Sequence, residues 1–186
     1  MNLGIMTSSL DTLNLESKIT FATALLTTLK DKDYNIVMGS GTKGLMGTVK
    51  EIAKESGCIL TVIGYDDDEL NKNDATVKIK VESPVERTKR IFEESDVLLF
   101  GPGGLGTFSE LFSILTTKVE VNDDTKVIIY NEDHSYDELI RFLDKKTNDG
   151  SISPSYKTTF TMINNKEDLA TILDSYEIKE ERSKVR

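Results

Sequence analysis

The sequence is poor in the residues that define several special classes of protein. It has no tryptophan, one histidine, one cysteine and three prolines among 186 residues. The single cysteine, Cys58, cannot form an internal disulfide, and the single histidine, His134, cannot supply a histidine cluster for a metal. We therefore expect a protein of a reducing compartment whose site uses no metal.

Long apolar runs and an excess of basic charge are also missing. No apolar run approaches the roughly 20 residues of a membrane-spanning helix, and the first ten residues lack the pattern of a signal peptide. The net charge is -9 and the pI about 4.8, so the surface as a whole repels nucleic acid. We expect a cytoplasmic protein that binds neither nucleic acid nor membrane. The overall charge does not exclude a locally electropositive pocket for one small anion.

Short apolar segments alternate with longer amphipathic ones along the chain. Strands are predicted at 3–6, 34–38, 58–63, 75–81, 96–100, 126–130 and 160–163, and helices at 15–30, 43–56, 86–94, 107–119, 136–147 and 166–174. This alternation predicts an α/β fold, a Rossmann-like doubly wound, mostly parallel sheet of about seven strands with helices on both faces. We expect one domain over 1–176, a polar loop at 66–74 and a polar tail at 177–186.

Apolar spacing predicts which side of each helix is buried. In the first helix Ile19, Ala22, Leu26 and Leu29 recur at three- and four-residue steps, which is the spacing of one helical face. These residues are therefore expected to face the core.

Two glycine-rich loops follow predicted strands and open helices. They are GSGTKGLMG at 39–47 and GPGGLGT at 101–107. Open parallel sheets bind ligands beyond the carboxyl ends of their strands. Glycine lets backbone N–H groups approach a ligand closely, and a helix N-terminus favours phosphate. The loops therefore predict a phosphorylated small molecule bound between them.

The first loop alone leaves several interpretations open. Gly39, Gly41 and Gly44 match the G-x-G-x-x-G pattern of dinucleotide-binding proteins, which would suggest an NAD-dependent oxidoreductase. The loop follows the second strand, however, and no acidic residue is clearly placed about 20 positions later. The GK[ST] ending of a P-loop is absent. The structural alternative is a glycine turn that begins a helix, whereas the presence of the second loop favours a phosphate or nucleotide role.

The second loop resembles a family signature. Residues 102–110, PGGLGTFSE, match the PGGxGTxxE pattern of the LOG family, the cytokinin riboside 5′-monophosphate phosphoribohydrolases, many of which were once labelled lysine decarboxylases. Arg87 lies 15 residues before Pro102, where the family's MHERK segment places its arginine. GSGTKGLMG looks like the family's GGGxxGLMG loop, and the similarity covers roughly residues 3–175.

This resemblance implies a reaction and a set of site residues. The family's enzymes cleave the N-glycosidic bond of a nucleoside 5′-monophosphate to a free base and ribose 5-phosphate, without cofactor or metal, and are usually homodimers with the site near the interface. By position, Arg87 and Glu110 would be the catalytic pair. The residues implied to bind phosphate or nucleotide are Ser8, Ser9, Gly39, Ser40, Gly41, Gly44, Gly103, Gly104, Gly106 and Thr107.

These residue types suit the reaction. Breaking the bond from C1′ to the base builds positive charge on the ribose, which a carboxylate stabilises while it orients or deprotonates water. Arginine offers permanently charged, planar donors to phosphate, to the departing base or to the carboxylate. The structural alternative is that Thr107 and Glu110 form a capping box at a helix start.

Several positions depart from the family pattern. Pro84 and Val85 stand where the family has M-H, Thr88 replaces a lysine, and the acidic segment 65–68 follows the third strand. We expect AMP or an N6-modified AMP as the substrate. Because of these departures, the identity of the base is left open. The alternative is a nonenzymatic nucleotide or molybdenum-cofactor carrier of the same fold. The decarboxylase label would require a pyridoxal phosphate lysine, and nothing marks a lysine such as Lys43 for that role.

Overall fold

The computed structural model describes residues 1–121 and 123–184, with side chains for 1–121 and 123–176. The strands in this part are β1 (Asn2–Met6), β2 (Asn35–Gly39), β3 (Ile59–Gly64), β4 (Val77–Lys80), β5 (Val97–Phe100), β6 (Lys126–Tyr130) and β7 (Thr161–Ile163). The α-helices are α1 (Leu15–Leu29), α2 (Gly44–Glu55), α3 (Asp67–Asn71), α4 (Pro84–Glu93), α5 (Leu105–Val121), α6 (Asp137–Asn148) and α7 (Lys166–Lys184). A short 3-10 helix spans Pro154–Thr158.

The strands form one parallel sheet in the order β4-β3-β2-β1-β5-β6-β7. The chain adds strands outward from β1 to β4, returns to the other side of β1 at β5, and adds strands outward again. The strand order thus reverses between β1 and β5, and crevices at such a switch point hold ligands in open α/β sheets. The predicted fold class is confirmed.

The core lies in two layers because successive strand residues point to opposite faces of the sheet. In β5, Leu99 faces the cluster formed with α1, α2 and α7, whereas Leu98 and Phe100 face the cluster formed with α4 and α5. All four residues of β5 are buried, as expected for a strand covered on both faces.

The predicted buried face of α1 is wrong in part. Ile19 is 56% exposed and Leu26 46% exposed, whereas Phe21 and Leu25 are fully buried. This helix carries apolar residues on two sides, so periodicity alone does not choose between them. Phe21 decides the packing because its ring lies against Gly101 and 5.4 Å from the ring of Tyr130.

The prediction of a polar loop at 66–74 is also wrong in part, because this segment contains α3. The side chain of Asp66 accepts a hydrogen bond from Glu69 N at 2.9 Å, and acidic residues occupy the first turn. Both features stabilise a helix start, and Leu70 anchors the helix by its burial.

The predicted polar tail, 177–186, lies outside the residues whose side chains are described. The domain boundary at 176 stays a prediction. Among the described residues, no helix combines the length and the apolar character that crossing a membrane requires.

Candidate active site

A cavity of about 350 Å³ opens beyond the carboxyl ends of four strands, β1, β2, β3 and β5. Its position spans the switch point between β1 and β5, so the topology alone accounts for the crevice. The residues that matter for its chemistry are Ser8, Ser9, Gly39, Gly41, Tyr65, Glu69, Arg87, Gly104, Gly106, Thr107 and Glu110.

Arg87 and Glu110 form an ion pair in the wall of this cavity. Arg87 comes from α4 and Glu110 from α5, and Nη2 of the arginine donates to Oε1 of the glutamate at 3.0 Å. The side chains are only 21% and 14% exposed. Burial raises the pKa of Glu110 above its ordinary value, and the adjacent Arg87 guanidinium offsets part of that rise.

Arg87 has a further donor that faces no protein acceptor. Its Nε is buried and has no hydrogen-bond partner among the described residues. The Tyr65 ring lies 5.4 Å from its Cζ and restrains the guanidinium by a cation–π contact. A buried N–H without a partner is costly, so the position of Arg87 in this wall is maintained at the expense of stability.

The second glycine loop is anchored through its carbonyl groups. The hydroxyl of Thr7 donates to the carbonyl of Pro102 at 2.6 Å, and Ser8 N donates to the same carbonyl at 3.1 Å. The hydroxyl of Tyr136 donates to the carbonyl of Gly101 at 2.7 Å. Tyr136 is fully buried, and desolvation raises its pKa, so the hydroxyl keeps its proton.

The capping-box prediction for Thr107 and Glu110 is wrong. Helix α5 begins at Leu105, and Phe108 N already donates to the carbonyl of Gly104 at 2.9 Å. Thr107 therefore stands inside the first turn instead of before it. Because the helix starts earlier than the motif suggests, Glu110 is free to point towards Arg87.

The first glycine loop presents only some of its residues to the cavity. Gly39 and Gly41 line it, whereas Ser40 is fully buried and donates to Oε2 of Glu69 at 3.1 Å. Gly44 has a φ of +56°, and its N–H donates to Oδ1 of Asp11 at 3.0 Å. A side chain at position 44 would meet the carbonyl of Leu10, so this glycine shapes the turn.

The structure thus gathers most of the sequence-predicted residues in one place. Ser40, Gly44 and Gly103 lie outside the lining, and Gly103 is packed closely against the side chain of Thr107. The remaining predicted residues line the cavity, and their roles in catalysis and phosphate binding stay predictions. They are Ser8, Ser9, Gly39, Gly41, Arg87, Gly104, Gly106, Thr107 and Glu110.

Sequence reasoning missed Tyr65 and Glu69 as cavity residues. Both lie just beyond the carboxyl end of β3. The rule that selected the two glycine loops applies equally to this strand end, so the signal was present. The run of acidic residues obscured it, because such runs are commonly solvated surface.

The described residues of this site include neither a set of metal ligands nor a lysine that could bind pyridoxal phosphate. No group of three or more His, Cys, Asp or Glu side chains in the described part of the chain is placed to hold a metal ion. The described cavity lining contains no lysine that could form a Schiff base. Lys43 lies just before α2 and is exposed to solvent.

Comparison with known proteins shows the family to which this chain is similar. The family model described as possible lysine decarboxylase matches residues 38–173. The cytokinin riboside 5′-monophosphate phosphoribohydrolase LOG5 of Arabidopsis thaliana is 32% identical over 158 residues, which are 83% of this chain and 69% of the relative. LOG2 of the same plant is 27% identical over 154 residues, 80% of this chain and 71% of the relative.

Solved structures with the same fold include proteins that handle the molybdenum cofactor. The molybdenum cofactor binding protein of Rippkaea orientalis superposes with a TM-score of 0.70 at 19% identity, over 94% of this chain and 95% of that chain. The Moco carrier protein of Chlamydomonas reinhardtii gives 0.66 at 12% identity, over 96% and 98%. At these identities the likeness concerns the fold.

Proposed function

The chain belongs to the LOG family, and from this premise we propose that it hydrolyses AMP or an N6-modified AMP to the free base and ribose 5-phosphate. The curated relatives are named as phosphoribohydrolases, which are N-glycosidic hydrolases, and the prediction of an enzyme of this class is confirmed. The observation that carries the substrate proposal is the buried Arg87–Glu110 pair in a cavity that both glycine loops line.

Glu110 is the residue that faces the reacting carbon in this proposal. The bond from C1′ to the base breaks, the electron pair leaves with the base, and water supplies a hydroxyl to C1′ and a proton to the base. An ionised carboxylate stabilises the positive charge that develops on the ribose and orients the water. The ion pair with Arg87 supports the ionised form, against the burial that opposes it.

Helix α5 supplies the position for the 5′-phosphate. Its first turn carries Gly106 and Thr107, and Gly104 precedes it directly. The helix has 17 residues, so its N-terminus offers free N–H donors and a partial positive charge. A side chain at Gly104 or Gly106 would meet no protein atom within 4 Å, which leaves room for an anion.

Arg87 has two tasks in this arrangement. One end of its guanidinium holds Glu110, and the side chain lines the cavity, where its permanent positive charge attracts the ligand. An arginine at this point therefore fixes the carboxylate and neutralises negative charge on the nucleotide or the departing base.

The base is the part of the substrate that the family relation constrains least. Tyr65 and Glu69 line the cavity from the strand end after β3, where the sequence departs from the family pattern. An aromatic ring offers a stacking surface, and a carboxylate accepts hydrogen bonds from base amino groups. We propose these two residues as contributors to the choice of base.

The test is product analysis by mass spectrometry. Purified protein is incubated with AMP and with isopentenyl-modified AMP, and free base and ribose 5-phosphate are sought. Release that requires Glu110 supports the proposal and ranks the two substrates. If neither nucleotide nor any other monophosphate in a wider panel yields base, the hydrolase proposal is rejected.

A nonenzymatic carrier is the second candidate, because the solved cofactor-handling proteins share the fold. It predicts a nucleotide-like ligand that copurifies with the protein and is never cleaved. The predicted homodimer remains a prediction as well, and sedimentation velocity of the purified chain tests it directly.

A further inference from the structure

Lys50 is a buried cation that the proposed reaction does not use. It lies on α2 and is 7% exposed. Its Nζ donates to the carbonyl of Gly41 at 2.7 Å and to Oδ1 of Asn73 at 2.5 Å. Burying a lysine is unfavourable unless its donors are satisfied, so these contacts account for how the fold tolerates it.

Asn73 extends this contact to the next carbonyl of the same loop. It is 4% exposed, and its Nδ2 donates to the carbonyl of Ser40 at 2.8 Å and to that of Glu69 at 2.7 Å. Ser40 in turn donates to the Glu69 carboxylate. The segment that carries α3 is thus joined to the first glycine loop by buried hydrogen bonds.

Anchoring two successive carbonyls also orients two N–H groups. No peptide bond in the described residues is cis, and in a trans peptide the C=O and the following N–H point in opposite directions. Because Asn73 holds the carbonyl of Ser40, the N–H of Gly41 points away from it. Because Lys50 holds the carbonyl of Gly41, the N–H of Thr42 is oriented in the same way.

We propose that Lys50 and Asn73 are positioning residues that turn the backbone N–H groups of Gly41 and Thr42 outward to receive the phosphate of the substrate. The inference rests on the proposed function, since it assumes that a 5′-monophosphate is the ligand. Neither side chain lines the cavity itself, whereas Gly41 does. Both residues therefore act through the loop, and the lysine adds a positive charge behind it.

The charge state of Lys50 is consistent with this role. Desolvation lowers its pKa to about 8, and the Glu69 carboxylate partly opposes that change. At neutral pH the side chain is mostly protonated, so it can act as a charged donor, and a bound phosphate would favour that form further.

The experiment compares Lys50→Met with Lys54→Met. Both lysines lie on α2, and both changes remove one charge, but Lys54 is 49% exposed and pairs with Asp74 at the surface. Affinities for AMP and for adenosine are measured by calorimetry in the Glu110→Gln background, which avoids turnover. Steady-state kinetics on AMP are measured with Glu110 intact.

The expected result is specific to the phosphate. Lys50→Met should weaken AMP binding about tenfold, the effect of one or two lost hydrogen bonds, while adenosine binding stays unchanged. KM for AMP should rise similarly while kcat stays within about twofold, because the chemistry lies at the other loop. Lys54→Met should change neither quantity.

A second variant guards against misfolding of the first. Asn73→Asp keeps the size of the side chain and the acceptor for Lys50 but loses the donor to the carbonyls of Ser40 and Glu69, and it should weaken AMP binding in the same selective way. Equal AMP affinity in the Lys50 and Lys54 variants, or equal losses for AMP and adenosine, would overturn the proposal. A wild-type protein that binds AMP but releases base from no monophosphate of the panel would instead reject the hydrolase function and leave this comparison decisive.

Discussion

The two glycine loops of this protein occupy equivalent places after parallel strands but are held in different ways. Neutral donors hold the loop at 101–107, namely Thr7, Tyr136 and a backbone amide. The loop at 39–47 is held by a buried lysine, an asparagine and, at Gly44, an aspartate. One loop therefore has a fixed support, and the other has a support that can change its charge.

The difference matches the chemistry that each loop serves. The second loop opens α5, which carries Glu110 five residues beyond Leu105, so its geometry must not vary with pH. The first loop is proposed to contribute donors to an anion, for which a nearby positive charge is useful. We therefore expect changes at the first loop to affect binding alone, whereas changes that disturb the second loop affect turnover and, at Gly104, phosphate binding as well.

The largest expected effect is that of Glu110→Gln. The amide keeps the size of the side chain but loses the charge that stabilises the ribose cation, so kcat should fall on the order of 10³-fold. Glu120→Gln, an exposed glutamate on the same helix, is the matched control and should leave kcat unchanged. Equal rates for the two variants would remove Glu110 from the reaction.

Two neighbouring glycines offer the next contrast. A methyl group at Gly103 would collide with Thr107, whereas one at Gly104 would meet no protein atom within 4 Å. Gly103→Ala should lower the free energy of unfolding by about 1–3 kcal/mol. Gly104→Ala should leave stability unchanged but weaken AMP binding about tenfold, because the space belongs to the ligand. Denaturant titration measures the stability and calorimetry the AMP affinity. Unchanged AMP affinity in Gly104→Ala would show that the phosphate does not bind beside this glycine.

Tyr136→Phe tests the neutral support of the second loop. The change leaves the buried carbonyl of Gly101 without the phenol donor, and an unsatisfied buried acceptor costs about 1–3 kcal/mol. We expect a lower denaturant midpoint and a severalfold loss of kcat with KM nearly unchanged. A rise in KM alone would contradict the division of labour between the loops.

The fold was predictable because it depends on patterns that repeat along the chain. Strands such as β5 are uniformly apolar, and the alternation with helices leaves few topologies. The buried side of α1 was not predictable, because apolar residues such as Ile19 and Leu25 lie on both sides of it and tertiary contacts select one. The start of α5 was missed because a motif read as a cap lay inside the helix.

The candidate site was predictable only where a short motif carried it. Arg87 and Glu110 are 23 positions apart, and their pairing follows from the family resemblance and is observed in the structure. Lys50 and Asn73 gave no such signal, since one reads as a polar helix residue and the other as part of a loop. Their burial depends on how α3 packs beside the first loop, and no local sequence pattern predicts that packing.

The pH dependence of turnover tests the role of Glu110, which lies on the helix that the second loop opens. If the ionised form of Glu110 is required, kcat/KM should fall as the pH drops through a pKa that burial holds above the ordinary value of 4.5. Arg87→Gln removes the charge that lowers this pKa, so the acidic limb of its residual activity should move to higher pH. A limb that stays in place in that variant would show that another group titrates.

The smallest expected effect concerns the first loop and its lysine. The pKa of Lys50 is lowered from 10.5 to about 8, so between these values the unfolded chain binds more protons than the folded one. Stability contributed by this group should therefore rise with pH through that window, and Lys50→Met should lack the rise while Lys54→Met retains it. AMP affinity should change in the opposite sense, declining above about pH 8 as the charge behind the loop is lost. Unfolding curves and binding isotherms at several pH values measure both trends, and parallel profiles in wild type and Lys50→Met would exclude the lysine as the titrating support.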